Sequence, residues 1–131
     1  MSMKIIICLD DDFGMMFGGR RQSRDKVVCE KALSLAEGGR LYINSFSEKL
    51  FAEYDVVCDD GMLSVAGEGD VCFLENALPP EDTEELIVFK WNRRYPGDMH
   101  FKPLENGFSL VSSEDFAGNS HEKITMEIYR K

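Results

Sequence analysis

Between Met3 and Leu9 the chain reads MKIIICL, a short unbroken apolar run rich in β-branched residues. A strand with one face in water alternates apolar and polar residues, so a run without alternation suits a strand covered on both faces. Residues 3–9 are therefore expected to form a central strand. With 131 residues, 44% of them hydrophobic, there is material for one core that buries about two-thirds of the unfolded surface. Residues 1–131 read as a single domain.

The next segment, DDDFGMMFGGRRQSRD, holds Gly14, Gly18 and Gly19 among acids and bases without regular period, and reads as a long loop. Ser23 then precedes a helix whose Val27, Val28, Ala32, Leu33 and Leu35 share a face, with Asp25 in its first turn and Gly38-Gly39 as its C-cap. Arg40 to Ser45 is a second strand, Ser47 caps a short helix from Glu48 to Glu53, and Val56-Val57 offers a third strand. Further strands are expected over Gly69 to Glu75, Glu85 to Trp91 and Gly107 to Val111, with ALPPEDTEE as a turn and acidic helix start or loop, and NRRYPGD as a turn. From Glu122 to Lys131, Ile124, Met126 and Ile128 alternate with Thr125, Glu127 and Tyr129, the period of an antiparallel terminal strand. The alternation of strands and helices in the first half implies parallel pairing. The fold class is α/β: a mixed, mostly parallel central sheet with flanking helices and an antiparallel C-terminal hairpin.

Cys8, Cys29, Cys58 and Cys72 form no CxxC pair and read as small buried hydrophobes. No signal-peptide pattern opens the chain and no apolar run is long enough to span a bilayer, so a cytoplasmic location is expected. The formal charge of −9 repels phosphate backbones and anionic headgroups, which speaks against nucleic-acid and membrane partners. His100 and His121 are too few for a multi-histidine zinc site of the metallo-β-lactamase nuclease type. Asp10, Asp11 and Asp12 end the first strand, where a hard cation can bind, but consecutive strand residues point to opposite faces and the run reads as solvated loop. No metal site is expected.

Gly97-Asp98-Met99-His100-Phe101, and the closing stretch from Asn119 through Arg130, resemble in order and spacing the last third of dihydrofolate reductases. The front half is similar more loosely: an apolar first strand, a glycine-containing loop, and an acid opening the first long helix, with Gly14 eleven residues before Asp25. The resemblance implies hydride transfer from a reduced nicotinamide to a pterin, with Asp25 as the catalytic carboxylate. Several positions depart from the family's pattern. Phe89 stands where the family carries a hydroxyl, Glu75-Asn76-Ala77-Leu78-Pro79-Pro80 replaces its glycine-rich phosphate turn, and Asn44-Ser45-Phe46-Ser47 keeps hydroxyls but no cation. Ala52 to Val57 lacks the arginine that would hold a glutamate tail, and Arg20, Arg21 and Gln22 occupy the place of a proline-tryptophan pair.

The expected function is therefore that of a shortened, degenerate dihydrofolate-reductase-like protein, a non-catalytic binder of a small anionic ligand or a protein partner, with no cofactor. Arg20, Arg21 and Arg24 suit an anion because guanidinium forks pair bidentately with phosphate or carboxylate; the alternative is a solvated loop paired to the preceding acids. Trp91, Arg93 and Arg94, with Tyr95, form a second candidate binding group, against which stands strand-end packing with a charged turn. Asp25 is either catalytic or an ordinary first-turn acid favoured by the helix dipole. Under the alternative of an NADPH-dependent reductase acting on a pterin-like substrate, Ser45 and Ser47 would hold cofactor phosphates. A protein-protein interaction module, with a homodimer through a sheet edge or the Trp91 region as one form of it, is the third reading. Ser112 or Ser113 with His121 and Glu114 or Asp115 lacks a nucleophile elbow and reads as structural.

Overall fold

The computed structural model describes residues 3–131. The first strand, β1 (Lys4–Leu9), lies between two parallel neighbours, β6 (Val71–Phe73) and β7 (Glu85–Lys90). Its residues divide between two cores as a period of two demands: Ile5, Ile7 and Leu9 face one, and Ile6 faces the other. Both faces are covered from Ile5 to Leu9, and those five positions hold no charged residue; Lys4, at the exposed start of the strand, pairs with Glu85.

The seven-stranded sheet has the order β5 (Val57–Cys58), β4 (Leu41–Ile43), β6, β1, β7, β10 (Ile124–Arg130), β9 (Ser109–Phe116). The left half is parallel, and β10 runs antiparallel to both β7 and β9. On one face sits α1 (Lys26–Leu35), burying Val28, Cys29 and Ala32 with Phe51, Phe73 and Phe89. The other face is closed by Met62 of the single-turn helix α2 (Met62–Val65) and by Met15, Met16, Phe101 and Phe108.

Residues 10–25 are not the loop the sequence reading expects. They hold β2 (Gly14–Phe17) and β3 (Arg20–Arg21), which join β8 (Met99–His100) in a small three-stranded sheet. The cause is the Gly18-Gly19 tip. Both residues have positive φ, +59° and +75°, the backbone a two-residue hairpin turn of matching twist requires.

Three other expectations change. Asp25 is the N-cap of α1 rather than a first-turn residue, and the helix ends at Ala36, with Gly38 and Gly39 beyond it. Instead of a helix over 48–53, a 3₁₀ turn covers Ser45–Ser47 and is capped by Asn44, so Ser47 points inward rather than capping. Strand β9 extends well past Val111 because an edge strand keeps its polar Ser-Ser-Glu-Asp residues in water. Cys29 and Cys72 are buried as expected, Cys8 is partly so, and Cys58 is exposed. No helix among the described residues is long and apolar enough to cross a membrane.

Candidate functional site

The segment from Arg20 to Asp25 leaves the small sheet and enters α1, and it is fastened at both ends. At Arg21, Nε and Nη2 each lie 2.8 Å from one oxygen of Glu75, a bidentate pair at the end of β6. Ser47 Oγ donates to the same carboxylate at 2.5 Å. The Glu75 carboxylate is thus buried but neutralised.

At the other end, the extended backbone of an N-cap turns the Asp25 carboxylate toward its own helix and toward the turn before β10. It accepts hydrogen bonds from the amides of Val27 (2.9 Å), Asn119 (2.9 Å) and Ser120 (2.8 Å), from Ser120 Oγ (3.1 Å) and from His121 Nδ1 (2.9 Å). Burial alone would raise its pKa, but the hydrogen bonds from Asn119, His121, Ser120 and Val27 outweigh it and hold the carboxyl well below the ordinary range. Gly118 permits the approach: a Cβ there would lie 2.7 Å from Asp25 Oδ2.

His121, itself buried, continues the network. Its ring stacks on Trp91 with centroids 4.7 Å apart, and its Nε2 lies 3.0 Å from Ser23 Oγ and 3.3 Å from the Tyr95 hydroxyl. Asp10, fully buried, ties the end of β1 to the same region by accepting from the amides of Gly14 (2.8 Å) and Tyr95 (2.9 Å).

Ser23 opens onto a pocket of about 470 Å³ walled by Gly19, Arg20, Arg21, Arg24 and Phe46. Arg24 also borders a second pocket, of about 350 Å³, together with Asp25, Lys26, Tyr54 and Asn119. The structure therefore brings Arg20, Arg21 and Arg24 together. Trp91 is committed to packing on His121, and with Arg93 it borders a separate cleft beside Asp11, Glu122 and Lys123. Arg94 reaches Asp12 at 3.1 Å in an exposed pair.

Ser45 and Ser47 also have fixed partners: Ser45 Oγ donates to Asp60 at 2.6 Å, and Ser47 Oγ to Glu75. Ser112 and Ser113 lie on β9 opposite Ile128 and Glu127; the serines that meet His121 are Ser23, at Nε2, and Ser120, at Nδ1. The Ser23–His121 contact was missed because its members are 98 residues apart. The available signal was the Ser-x-Asp spacing at the helix entrance and the polar Asn-Ser-His turn before the last strand. Among the described residues no cluster of histidine, cysteine and acids is placed to hold a metal ion.

A twisted, mostly parallel sheet closed by an antiparallel C-terminal hairpin, with an acid at the entrance of the first helix, defines a dihydrofolate-reductase-like fold. A solved structure that shares it is dihydrofolate reductase from Enterococcus faecalis complexed with NADP(H) and RAB-propyl, with a TM-score of 0.61 and 12% identity over 98% of this chain and 95% of that one. No family model matches the sequence, and no curated protein matches it.

The residues that follow β6 are not those of a glycine-rich phosphate turn. The segment after β6 begins with buried Glu75, already bound to Arg21 and Ser47, and continues to Pro79 and Pro80, which have no amide proton to donate. The hydroxyl of Ser45 meets a second carboxylate, Asp60.

Proposed function

We propose that the protein binds a small anion-bearing molecule in the pocket formed by Gly19, Arg20, Arg21, Ser23, Arg24 and Phe46, and that it does not act as a nicotinamide-dependent reductase. The observation that carries this reading is the concentration of three guanidinium groups around one pocket of a chain with a formal charge of −9. Arg21 is held rigid by Glu75 and forms a fixed wall, while Arg20 and Arg24 form no ion pair with an acid among the described residues. Exposed arginines of this kind pair bidentately with carboxylate or phosphate.

Support against the reductase reading comes from Asp25. A carboxylate that polarises and helps to protonate a pterin needs a free oxygen and an accessible proton, and Asp25 has its oxygens engaged by amides and an imidazole and stays ionised. The NADP(H) held by the Enterococcus faecalis protein makes that cofactor the natural control.

The test is thermal unfolding of the protein with inorganic phosphate, citrate, NADPH and folate in turn. A ligand present at 100 times its Kd stabilises the native state by about 2.7 kcal/mol. Phosphate or citrate should raise Tm, and the rise should disappear in Arg20→Ala/Arg24→Ala. A rise with NADPH or folate that survives this double substitution would replace the anion reading with the reductase.

A further inference from the structure

We propose that Ser23 is a nucleophile activated by His121 and oriented through Asp25, and that the chain hydrolyses esters bearing a carboxylate or phosphate group; the preference for a charged ester rests on the anion pocket proposed above.

The geometry is that of a serine, histidine and aspartate relay. Asp25 Oδ2 lies 2.9 Å from His121 Nδ1, and His121 Nε2 lies 3.0 Å from Ser23 Oγ. An ionised carboxylate only accepts, so it places the imidazole proton on Nδ1 and leaves Nε2 as the acceptor for the serine proton. Stacking on Trp91 fixes the ring plane. These are the roles such a triad needs, whatever fold carries it.

Ser23 is not occupied by structural work. Its hydroxyl contacts His121 Nε2 and the Tyr95 hydroxyl, and among the described residues it meets no backbone group. It is partly exposed, and it lies on the wall of the pocket lined by Arg20, Arg21 and Arg24. A histidine needed only to tie residues 118–121 to α1 would already do so through Nδ1. Here its second nitrogen meets a primary hydroxyl at a cationic pocket. The Tyr95 hydroxyl donates to Ser23 Oγ at 3.3 Å and so helps to hold the serine oxygen beside His121.

In the first half-reaction Ser23 Oγ bonds to the ester carbonyl carbon and its proton passes to His121 Nε2. The bond from that carbon to the alcohol oxygen breaks, and the departing oxygen takes the proton from Nε2. In the second, water gives a proton to Nε2 as its oxygen bonds to the acyl carbon. The acyl–Ser23 bond then breaks and Ser23 recovers the proton. One ester and one water give one acid and one alcohol, with no redox change and no metal.

The experiment treats the folded protein with a fluorophosphonate, from whose phosphorus Ser23 Oγ would displace fluoride, and locates the adduct by mass spectrometry. It then compares hydrolysis of 4-nitrophenyl benzoate with that of the 4-nitrophenyl monoester of terephthalic acid, whose carboxylate cannot reach its own ester carbonyl. The expected result is one adduct, on Ser23, faster turnover of the terephthalate ester, and a loss of about 10³-fold or more in Ser23→Ala, which removes a partly exposed hydroxyl and should keep its Tm. Tyr95→Phe should lower turnover with little change in KM. No adduct on Ser23 in the wild-type protein overturns the nucleophile, while the phosphate and citrate shifts above would stand independently. An adduct on Ser23 with equal rates for both esters overturns the charged-ester preference, and the phosphate and citrate shifts then decide whether the anion pocket stands.

Discussion

The two buried carboxylates that flank residues 20–25 are neutralised in different ways. Glu75 meets a guanidinium, in a paired arrangement that fills the end of β6. Asp25 meets no arginine or lysine among the described residues; its partners are amides, a hydroxyl and an imidazole. A side-chain ion pair can be exchanged for apolar groups of similar size, because both partners leave together. Amides cannot be removed, so the acceptor that satisfies them cannot be replaced by carbon. The Glu75 knot holds Arg21 in place at the end of β6, and the Asp25 knot leaves His121 Nε2 facing the Ser23 and Tyr95 hydroxyls.

The largest effect should come from Asp25→Leu/His121→Leu, which strands the amides of Val27, Asn119 and Ser120 and should cost about 5 kcal/mol in urea denaturation. Arg21→Met/Glu75→Leu, combined with Ser47→Ala so that no buried hydroxyl is stranded, should change stability by less than about 2 kcal/mol in either direction. Similar losses in the two combined variants would erase the distinction. Gly118→Ala should come next, at about 2 kcal/mol, since its Cβ would sit 2.7 Å from Asp25 Oδ2 and 2.9 Å from the His121 carbonyl oxygen. An unchanged urea midpoint would show that the 118–121 turn can retreat from Asp25.

The pH dependence has a definite sign. The folded pKa of Asp25 is depressed, so its contribution is complete above the unfolded value of about 4 and is lost as pH falls through the folded value. The stability difference between wild type and Asp25→Asn should narrow as pH falls below about 4. A difference unchanged between about pH 4 and 3 would contradict an anion held by amides. The smallest effect belongs to Arg94→Ala: its pair with Asp12 is exposed on both sides, and stability should move by no more than about 0.5 kcal/mol. Phosphate binding should be untouched by it, and a loss would move the pocket toward the 91–95 turn.

Patterns that one element carries by itself were readable in the sequence. IIICL within MKIIICL announced β1 because burial on both faces excludes charged residues, and the alternation from Ile124 to Ile128 announced an antiparallel strand because β10 carries both kinds of face. The hairpin of β2 and β3 was hidden because its second strand is only two arginines long, and the Gly18-Gly19 tip was its sole signal. Asp25 was found from its place at a helix entrance, but its role depends on residues 94 to 96 positions away that only the closed sheet brings near. Ser47 was read as a cap because serine favours that position; the Glu75 carboxylate inside the fold gives its hydroxyl a stronger partner.

The last of the described strands, β10, lies between β7 and β9 rather than at the rim of the sheet. A chain made from its N-terminus therefore exposes one side of β7 until synthesis has passed residue 130, and it cannot bring His121 against Asp25 before the strand that follows His121 has docked. Assembly of the site is thereby tied to completion of the sheet, and ribosome-bound chains stopped before Ile124 should be open to proteases along β7 and inert toward the serine probe.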